Sequence, residues 1–205
     1  MIDRKIKNLV FDFGGVLVQL NMKRCVERFA ALGFTDVEKY VNAYSKEGLF
    51  QELELGSVSV PEFCSEVAKH CSDGVSDSQI LDAWNSFLNG VPAHLMNALI
   101  DLQKDYRVIL LSNTNKPHWD FSCREYFSHD GHSVEDHFEK MFLSFEMHVT
   151  KPDAQIFEQM CAQADILPQE TLFLDDAKAN CAAAEKLGIN THLITAGEDW
   201  RNLFK

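Results

Sequence analysis

Leu9-Val10-Phe11-Asp12-Phe13-Gly14-Gly15 is a short apolar run that ends in an aspartate and a pair of glycines. A continuous apolar run, without polar alternation, is typical of a strand that is buried on both faces of a parallel sheet. Four further runs have the same character: Val108–Leu111, Met141–Leu143, Leu172–Leu174 and His192–Ile194. The sequence therefore predicts five buried strands.

Segments with helical spacing separate the later runs. Apolar residues recur every three or four positions at Leu95, Leu99 and Leu102, at Ile156, Met160 and Ala164, and at Ala179, Ala183 and Leu187. Gly188 then provides a helix stop. Strands that alternate with helices favour an α/β fold with a Rossmann-like parallel sheet as its core.

Residues 18–90 differ, because they lack strand-like runs and contain repeated helix-start signals. Three pairs have the spacing of a capping box: Thr35 with Glu38, Ser59 with Glu62, and Ser76 with Gln79. We therefore expect an inserted helical-bundle cap domain over residues 18–90. The α/β core domain then consists of residues 1–17 and 91–205.

The composition is that of a globular protein. The chain has 205 residues, of which 46% are hydrophobic and 24% charged. A chain of this length buries roughly 70% of its unfolded surface, so it needs no disulfide or structural metal. Six cysteines occur without a C-x-x-C pair, which favours reduced thiols and a cytoplasmic location.

The net charge and the lengths of the apolar runs argue against nucleic-acid and membrane partners. The formal charge of -12 disfavours a nucleic-acid backbone as partner. No apolar run approaches the length of a membrane span or of a signal peptide's hydrophobic region, so we expect a soluble, unsecreted protein with no membrane partner.

Polar residues follow the predicted strands. In an open parallel sheet, ligands bind beyond the carboxyl ends of the strands. Asp12, Ser112 and the pair Asp175-Asp176 occupy these positions. Ser144 follows the third strand, and Lys151 comes seven residues after Ser144. We expect these side chains to share one rim of the sheet.

The chemistry of this rim points to a metal and a phosphate. Clustered carboxylates repel one another unless a cation neutralises them, and a site with only oxygen ligands fits Mg²⁺ together with substrate phosphate oxygens. Ser112 and neighbouring backbone N–H groups donate to a phosphate, and Lys151 adds positive charge. Asp12 is then placed to attack phosphorus and form an aspartyl-phosphate.

Four ordered motifs carry a family resemblance. They are Phe11-Asp12-Phe13-Gly14-Gly15-Val16-Leu17, Leu111-Ser112-Asn113-Thr114, Lys151-Pro152-Asp153 with Ile156-Phe157, and Phe173-Leu174-Asp175-Asp176 with Asn180. Together they resemble the motifs of the haloacid dehalogenase-like (HAD) hydrolases. The second and fourth are most similar to those of the subgroup with bacterial α-glucose-1-phosphate phosphatase and the phosphatase domain of soluble epoxide hydrolase.

The resemblance implies a role for each matching position. Asp12 is expected to be the nucleophile and a Mg²⁺ ligand, with the backbone carbonyl of Gly14 as another ligand. Asp176 aligns with the ligating aspartate of the fourth motif, and Asp175 beside it is expected to bind the metal directly or to support its ligands. Ser112, Asn113 and Lys151 are expected to hold the phosphoryl group of a small phosphorylated metabolite, for example a sugar phosphate.

The sequence departs from the family pattern at Gly14. Most phosphatases of the family have a second aspartate at this position, which protonates the leaving alcohol and then activates water. A positioned acid/base contributes typically about 10²- to 10⁴-fold, so its absence slows the reaction without abolishing it. An anomeric hydroxyl is a better leaving group than an ordinary alcohol, which favours a sugar 1-phosphate such as glucose 1-phosphate.

Other residues leave alternatives open. His148, where relatives often have glycine, is either a substitute acid or an ordinary loop residue. The segment from His118 to His137 has four histidines but no standard zinc spacing, so we expect a solvated loop in which aromatic residues pack near the site mouth. Phe50, Gln51, Glu52, Glu54 and Gly56 either contact substrate or form plain helix surface.

Two other functions compete with the phosphatase. Loss of the second aspartate is also consistent with a catalytically impaired, phosphate-binding or regulatory protein that keeps a long-lived aspartyl-phosphate. Dehalogenation uses the same nucleophile at carbon, but it needs no metal, and the carboxylate pair Asp175-Asp176 speaks against it.

Overall fold

The computed structural model describes residues 2–41, 48–128 and 131–205. In this part of the chain five parallel strands form one sheet in the order β3-β2-β1-β4-β5. The strands are β1 (Asn8–Phe11), β2 (Arg107–Ser112), β3 (Lys140–Leu143), β4 (Thr171–Asp175) and β5 (Asn190–Leu193). The predicted α/β fold with a parallel sheet core is confirmed.

The central strand sets the register of the sheet. Leu9 of β1 lies opposite Val108 of β2 on one side and Leu172 of β4 on the other. Alternate residues of β1 to β4 then belong to different apolar clusters, one on each face of the sheet. Since both faces are covered, the inner strands need apolar residues at every position, which explains their continuous runs.

Helices connect and cover the strands. The helices between β1 and β2 are α1 (Met22–Ala31), α2 (Leu49–Glu54), α3 (Val60–Ala68), α4 (Asp77–Asn85) and α5 (Ala93–Leu102). Those after β2 are α6 (Lys116–Ser122), α7 (Ser144–Met147), α8 (Ala154–Ala164) and α9 (Lys178–Lys186). Gly188, with φ of +83°, follows α9 as predicted.

The helices α1 to α4 pack together and share a large apolar cluster with one face of the sheet. Helix α4 contacts α1 and α3, and it also packs on α6, which follows β2. The ring of Trp84 on α4 is buried against His118 on α6, with centroids 4.3 Å apart. The helical insert is therefore joined to the sheet domain by a buried contact near the carboxyl ends of the strands.

Two local predictions differ from the structure. The last strand, β5, begins at Asn190 and is not buried on both faces, because it lies at the edge of the described sheet, next to β4. The capping boxes at Ser59 and Ser76 are confirmed. The one at Thr35 is wrong, because the short 3₁₀ helix there begins one residue later, with Asp36 at its N-cap.

In the described ranges, none of the helices combines the length and the apolar character that crossing a bilayer requires.

Candidate active site

The carboxyl ends of the inner strands bring the predicted residues together. Asp12 follows β1, Ser112 ends β2, and Asp175 ends β4 with Asp176 directly after it. A small cavity of about 80 Å³ lies beside them. Six predicted residues line the cavity: Asp12, Gly14, Ser112, Asn113, Lys151 and Asp176.

Lys151 is buried at the centre of the site. Its Nζ lies 2.7 Å from Asp12 Oδ1 and 2.7 Å from Asp175 Oδ2, and it donates to the carbonyl of Leu111 at 3.0 Å. Burial by itself lowers the pKa of this lysine, but the attraction of Asp12 and Asp175 outweighs burial and raises the pKa above its ordinary value. Lys151 is therefore a permanent positive charge.

Asn113 fixes the backbone of the lysine. Its Oδ1 accepts from the Lys151 N–H at 2.8 Å, and its Nδ2 donates to the Lys151 carbonyl at 2.9 Å. The side-chain amide of Asn113 thus pairs with the lysine main chain in both directions. The contact of Asn113 with a phosphoryl group stays a prediction, whereas its contact with Lys151 is a property of the fold.

Three carboxylates form an acidic cluster. One oxygen each from Asp12, Asp175 and Asp176 lie within 4.8 Å of one another. Burial, followed by repulsion from Asp175 and Asp176, raises the pKa of Asp12 to about 7 against the attraction of Lys151. Burial and the charge of Asp175 likewise raise the pKa of Asp176. One lysine does not balance three carboxylates, so the cluster needs a further cation.

The donor set of this cluster fits Mg²⁺. All three groups offer oxygen atoms, which Mg²⁺ prefers, and a cluster of this kind leaves room for waters and substrate oxygens. Of the three carboxylates, Asp175 accepts the most hydrogen bonds. Its oxygens accept from Lys151 Nζ, from Asn180 Nδ2 at 3.0 and 3.1 Å, and from the Ala177 N–H at 2.7 Å. Asp12 and Asp176 are the more accessible ligands.

Gly15 is required next to this cluster. Its φ is +81°, a conformation that residues with a Cβ rarely adopt. A Cβ at Gly15 would lie 2.2 Å from Asp176 Oδ2. The second glycine of the first motif therefore makes room for the carboxylate of Asp176.

We expect the Gly15→Ala substitution to lower Mg²⁺ affinity at least tenfold, because the new methyl group displaces Asp176. Isothermal titration with MgCl₂ measures the change. Gly74→Ala is the matched control, since Gly74 has a φ of +82° and no atom of the residues that the structure describes lies within 4 Å of the position of an added Cβ. Equal Mg²⁺ affinity in the two variants would contradict the proposed role of Asp176.

Ser112 offers a hydroxyl group to the cavity. The residue is 1% exposed, and its Oγ has no hydrogen-bond partner among the described residues. Leaving a buried hydroxyl unpaired costs free energy, so a polar ligand in the cavity is the natural partner of this group.

A network that the sequence did not predict forms another wall. Asn115 Oδ1 accepts from Trp84 Nε1 at 3.2 Å and from the His118 N–H at 3.1 Å, so Asn115 Nδ2 faces His118 Nδ1 at 3.3 Å. The ring Nδ1 of His118 therefore accepts, and its Nε2 donates to the Trp84 carbonyl at 3.1 Å. Both nitrogens of this cavity-lining histidine are thus committed to a rigid link between α4 and α6.

The histidine-rich segment is therefore packed, and the prediction of a solvated loop is wrong for its described ends. His118 is 4% and His137 1% exposed, and both contact aromatic rings. His129 lies outside the described residues. The predicted packing of aromatic residues is confirmed for Trp119 and Phe127, which are buried. The absence of a zinc-ligand spacing says nothing about packing, and Asn115 in fact caps a helix at the start of this segment.

The helical insert also reaches the cavity. Glu54, at the end of α2, is 7% exposed and lines the cavity together with Phe87 and Leu88. Glu52, two residues earlier, is exposed. The two alternatives for this segment, substrate contact and plain helix surface, thus apply to different residues: Glu54 faces the site, and Glu52 is helix surface.

Two residues after β3 hold the end of α2 in place. The Ser144 hydroxyl donates to the Glu54 carbonyl at 2.8 Å and accepts from the Thr114 N–H at 3.0 Å. His148 Nδ1 donates to the Leu55 carbonyl at 2.9 Å. His148 is exposed and is not among the residues that line the cavity, so this geometry gives no support to its role as a substitute acid.

Comparison with known proteins places the chain in a family. Residues 6–188 match the model of haloacid dehalogenase-like hydrolases. The chain is 37% identical to D-ribitol-5-phosphate phosphatase of Bacteroides thetaiotaomicron over 96% of this chain and 95% of that protein. It is 27% identical to the sesquiterpene phosphatase astK of Aspergillus oryzae, over 91% of this chain and 89% of that protein.

A solved structure has nearly the same fold. It is a HAD family enzyme of Bacteroides thetaiotaomicron, an aspartate-to-alanine variant in complex with magnesium and inorganic phosphate. The TM-score is 0.95 and the identity 42%, over 98% of this chain and 99% of that one. The motifs, the sheet order and these matches agree, and the chain belongs to the haloacid dehalogenase-like hydrolase family.

Proposed function

We propose that this protein is a Mg²⁺-dependent phosphatase that hydrolyses the phosphate ester of a small hydroxylated metabolite, with residues 18–90 as its cap. The observation that carries the proposal is the joint placement of Asp12, Asp176 and Lys151 around one small cavity. A related enzyme of similar fold was solved with magnesium and inorganic phosphate, which supports the same pair of ligands here.

Asp12 is the proposed nucleophile. Its Oδ1 contacts Lys151, which leaves Oδ2 to attack phosphorus. Attack forms the bond between Asp12 and phosphorus as the ester P–O bond breaks, and the leaving alkoxide takes a proton from solvent water. Water then attacks the phosphorus of the aspartyl-phosphate and loses a proton to solvent, which releases phosphate and restores the carboxylate. The nucleophile must be ionised, so the attraction of Lys151, which opposes the raised pKa of Asp12, favours the reactive form.

Ser112 and Lys151 are proposed to hold the phosphoryl group. The Ser112 Oγ is buried beside the cavity and donates to a phosphate oxygen, while Asp175 and Asn113 keep Lys151 in place. Asp12, Asp176 and the backbone carbonyl of Gly14 are the proposed Mg²⁺ ligands, with Asp175 completing the negative charge around them. When bound, Mg²⁺ neutralises the carboxylates and the charge that develops on the phosphoryl oxygens.

Gly14 stands where most phosphatases of the family have the acid/base aspartate, and the structure has space for a side chain at this position. Its φ is not in the left-handed region, and a Cβ there would meet only Leu20 side-chain atoms at 3.5 and 3.7 Å, which is ordinary contact. No steric reason therefore requires glycine at this position, in contrast to Gly15.

We expect Gly14→Asp to increase the turnover of primary alcohol phosphates by about tenfold or more, because a carboxyl at this place can protonate the leaving oxygen. Turnover of p-nitrophenyl phosphate, which needs no such proton, should change far less. The measurement is kcat for both substrates, with Gly14→Asn as the control that adds similar volume without a proton to give. An equal gain in both variants would contradict acid catalysis.

The substrate is proposed from two observations. A relative of 37% identity is named for D-ribitol 5-phosphate, which supports a sugar alcohol phosphate. Glucose 1-phosphate is the alternative, since its better leaving group suits a site without the second aspartate.

Phosphate release from three substrates tests the proposal. D-ribitol 5-phosphate, glucose 1-phosphate and p-nitrophenyl phosphate are compared with Mg²⁺ and after EDTA. We expect metal-dependent release, with the highest kcat/KM for D-ribitol 5-phosphate. A higher value for glucose 1-phosphate would support the leaving-group argument instead. No release from any of the three would contradict a phosphatase.

A regulatory protein is the second candidate, and the observation in its favour is Gly14. Without a base to activate water, the second step of the reaction slows and the aspartyl-phosphate lasts longer. A phosphoenzyme that persists for minutes, with little phosphate released, would favour this function over the phosphatase.

A further inference from the structure

A second polar cavity, the linker cavity, lies where the helical insert joins the sheet domain. Its volume of about 480 Å³ is in the range of small-molecule sites. The lining includes Arg24, Arg28, Asp82, Leu88, Phe121 and Tyr126. Of the described residues, Leu88 is the one that also lines the cavity at the strand ends. The proposed phosphatase chemistry therefore uses none of the polar groups in the linker cavity.

Two arginines provide positive charge in the linker cavity. Arg24 and Arg28 are four residues apart on α1, so their side chains lie on the same face of the helix. Among the residues that the structure describes, neither arginine forms an ion pair. Acidic residues outnumber basic ones by 31 to 19 in this chain, so carboxylate partners are plentiful elsewhere. Both positive charges are thus available to an anion.

Hydrogen bonds hold Arg24 in place without neutralising it. Its Nε donates to the Ser86 carbonyl at 2.7 Å, its Nη2 to the Leu88 carbonyl at 2.6 Å, and its Nη1 to Asn89 Oδ1 at 3.0 Å. All three acceptors are neutral oxygens, so the guanidinium keeps its full charge. A guanidinium group has more N–H donors than these three contacts use, and the others remain for a ligand.

Tyr126 adds a hydroxyl donor to the same cavity. Its oxygen accepts from the Gly90 N–H at 3.1 Å, and no described group accepts from its O–H. Burial raises the pKa of Tyr126, against the opposing effects of the Gly90 N–H and of the positive charge of Arg24. The phenol is therefore protonated at neutral pH and close to a guanidinium group, so its O–H is free to donate to an anion.

The donors of the linker cavity favour a phosphate group over a carboxylate. Two guanidinium groups and one hydroxyl group belong to three different side chains, and a phosphate offers each of them a separate oxygen. A carboxylate has only two oxygens, both in one plane. Asp82 on α4 is the one carboxylate among the described lining residues, and it is exposed. It opposes anion binding, but it carries only one charge against the two arginines.

Aromatic rings line the cavity beside the tyrosine hydroxyl. The ring centroids of Phe121 and Tyr126 lie 5.6 Å apart in an edge-to-face arrangement. These rings offer apolar surface on which an organic group can pack. The lining therefore suits a phosphate that carries an organic group better than it suits free phosphate.

We propose that the linker cavity binds a small organic phosphate, with its phosphate group held by Arg24, Arg28 and Tyr126. This site is separate from the catalytic one, and it does not depend on the proposed phosphatase function. Its ligand would contact the segment 86–90, which connects the helical insert to the sheet domain and which Arg24 already holds.

Isothermal titration of the metal-free protein tests the inference. EDTA removes Mg²⁺, so the carboxylates around Asp12 repel an anion from the catalytic cavity. Phenyl phosphate, inorganic phosphate and acetate are the probes, at pH 8 and constant ionic strength. We expect phenyl phosphate to bind at least about threefold more tightly than inorganic phosphate, because its ring packs on Phe121 and Tyr126. Acetate should bind more weakly than either phosphate.

Four variants locate the bound phosphate. Arg28→Gln should weaken the binding of both phosphates about tenfold, because a charged hydrogen-bond donor is lost. Asp82→Asn should strengthen it about twofold or more, because an opposing charge is removed. Arg4→Gln is the matched control, since Arg4 is exposed and does not line the cavity. Ser112→Ala, which changes the catalytic cavity, should keep the wild-type affinity.

Several results would overturn the inference. No binding of either phosphate is one, and equal affinity of Arg28→Gln and Arg4→Gln is another. Weaker binding in Ser112→Ala would assign the anion to the catalytic cavity. Acetate that binds as tightly as inorganic phosphate, or phenyl phosphate that binds no more tightly, would refute the assignment to an organic phosphate. Thermal melting verifies that each variant folds. If Arg28→Gln does not, Asp82→Asn decides, and an affinity no higher than that of the wild type would contradict us.

Discussion

Replacing Asp12 by asparagine is expected to abolish Mg²⁺-dependent phosphate release, with a loss of at least about 10⁴-fold in kcat for every substrate. Asparagine keeps the size of the side chain but has no carboxylate to attack phosphorus and one charge fewer for Mg²⁺. A coupled phosphate assay with D-ribitol 5-phosphate and p-nitrophenyl phosphate measures the loss. Residual activity within tenfold of the wild type would exclude Asp12 as nucleophile.

The metal-free Asp12→Asn variant should remain folded, which makes the loss of activity interpretable. Burial raises the pKa of Asp12 to about 7 in the folded protein, whereas an exposed aspartate, as in the unfolded chain, has a pKa of 3.8. The folded state thus binds more protons between about pH 4 and 7, and the stability of the metal-free wild type falls as pH rises through this range. The Asp12→Asn variant has no carboxyl group here that must lose a proton as the pH rises. At pH 8 its melting temperature should therefore equal or exceed that of the metal-free wild type.

Replacing Lys151 by methionine is expected to have the largest effect on stability. The Lys151 Nζ contacts both Asp12 and Asp175, and its side chain is 1% exposed. Removing one partner of a buried ion pair costs about 3–5 kcal/mol, since the other charges stay buried without compensation. Urea unfolding at pH 8 without metal should reveal this loss, and phosphate release should fall at least about 10³-fold.

Lys116→Met is the matched control for this experiment. Lys116 pairs with Asp120 on the surface, where both side chains are more than half exposed. Exposed pairs contribute about 0–1 kcal/mol, so this variant should keep the stability and the activity of the wild type. Equal stability of the two variants would show that the buried network around Lys151 is not the stabilising feature that its geometry indicates.

The sheet and its rim could be predicted because their signals are local. Asp12 and Asp175-Asp176 stand directly after continuous apolar runs, and the carboxyl ends of parallel strands meet at one edge of the sheet. The prediction that β5 is buried on both faces was wrong, since a run of apolar residues does not distinguish an edge strand from an inner one. At Thr35 the capping-box spacing was present, but the helix started one residue later.

The walls of the site could not be predicted in this way, because they depend on contacts between distant segments. Asn115 and His118 meet Trp84 only when α4 packs on α6, and nothing in the spacing of these residues indicates it. Glu54 and Glu52 have similar sequence surroundings, and only the docking of α2 on Ser144 decides which of them faces the cavity. Ser144 itself stands at the end of a strand, which was a usable signal.

The most direct test of the account is to trap the phosphoenzyme. Wild type and Asp12→Asn are mixed with Mg²⁺ and ³²P-labelled D-ribitol 5-phosphate, quenched in acid within milliseconds to seconds, and digested for peptide analysis. Because Gly14 provides no base for the second step, we expect label on the peptide that contains Asp12 in the wild type, decaying as phosphate appears, and none in the variant. Label on another peptide, or phosphate release by Asp12→Asn at the wild-type rate, would contradict it.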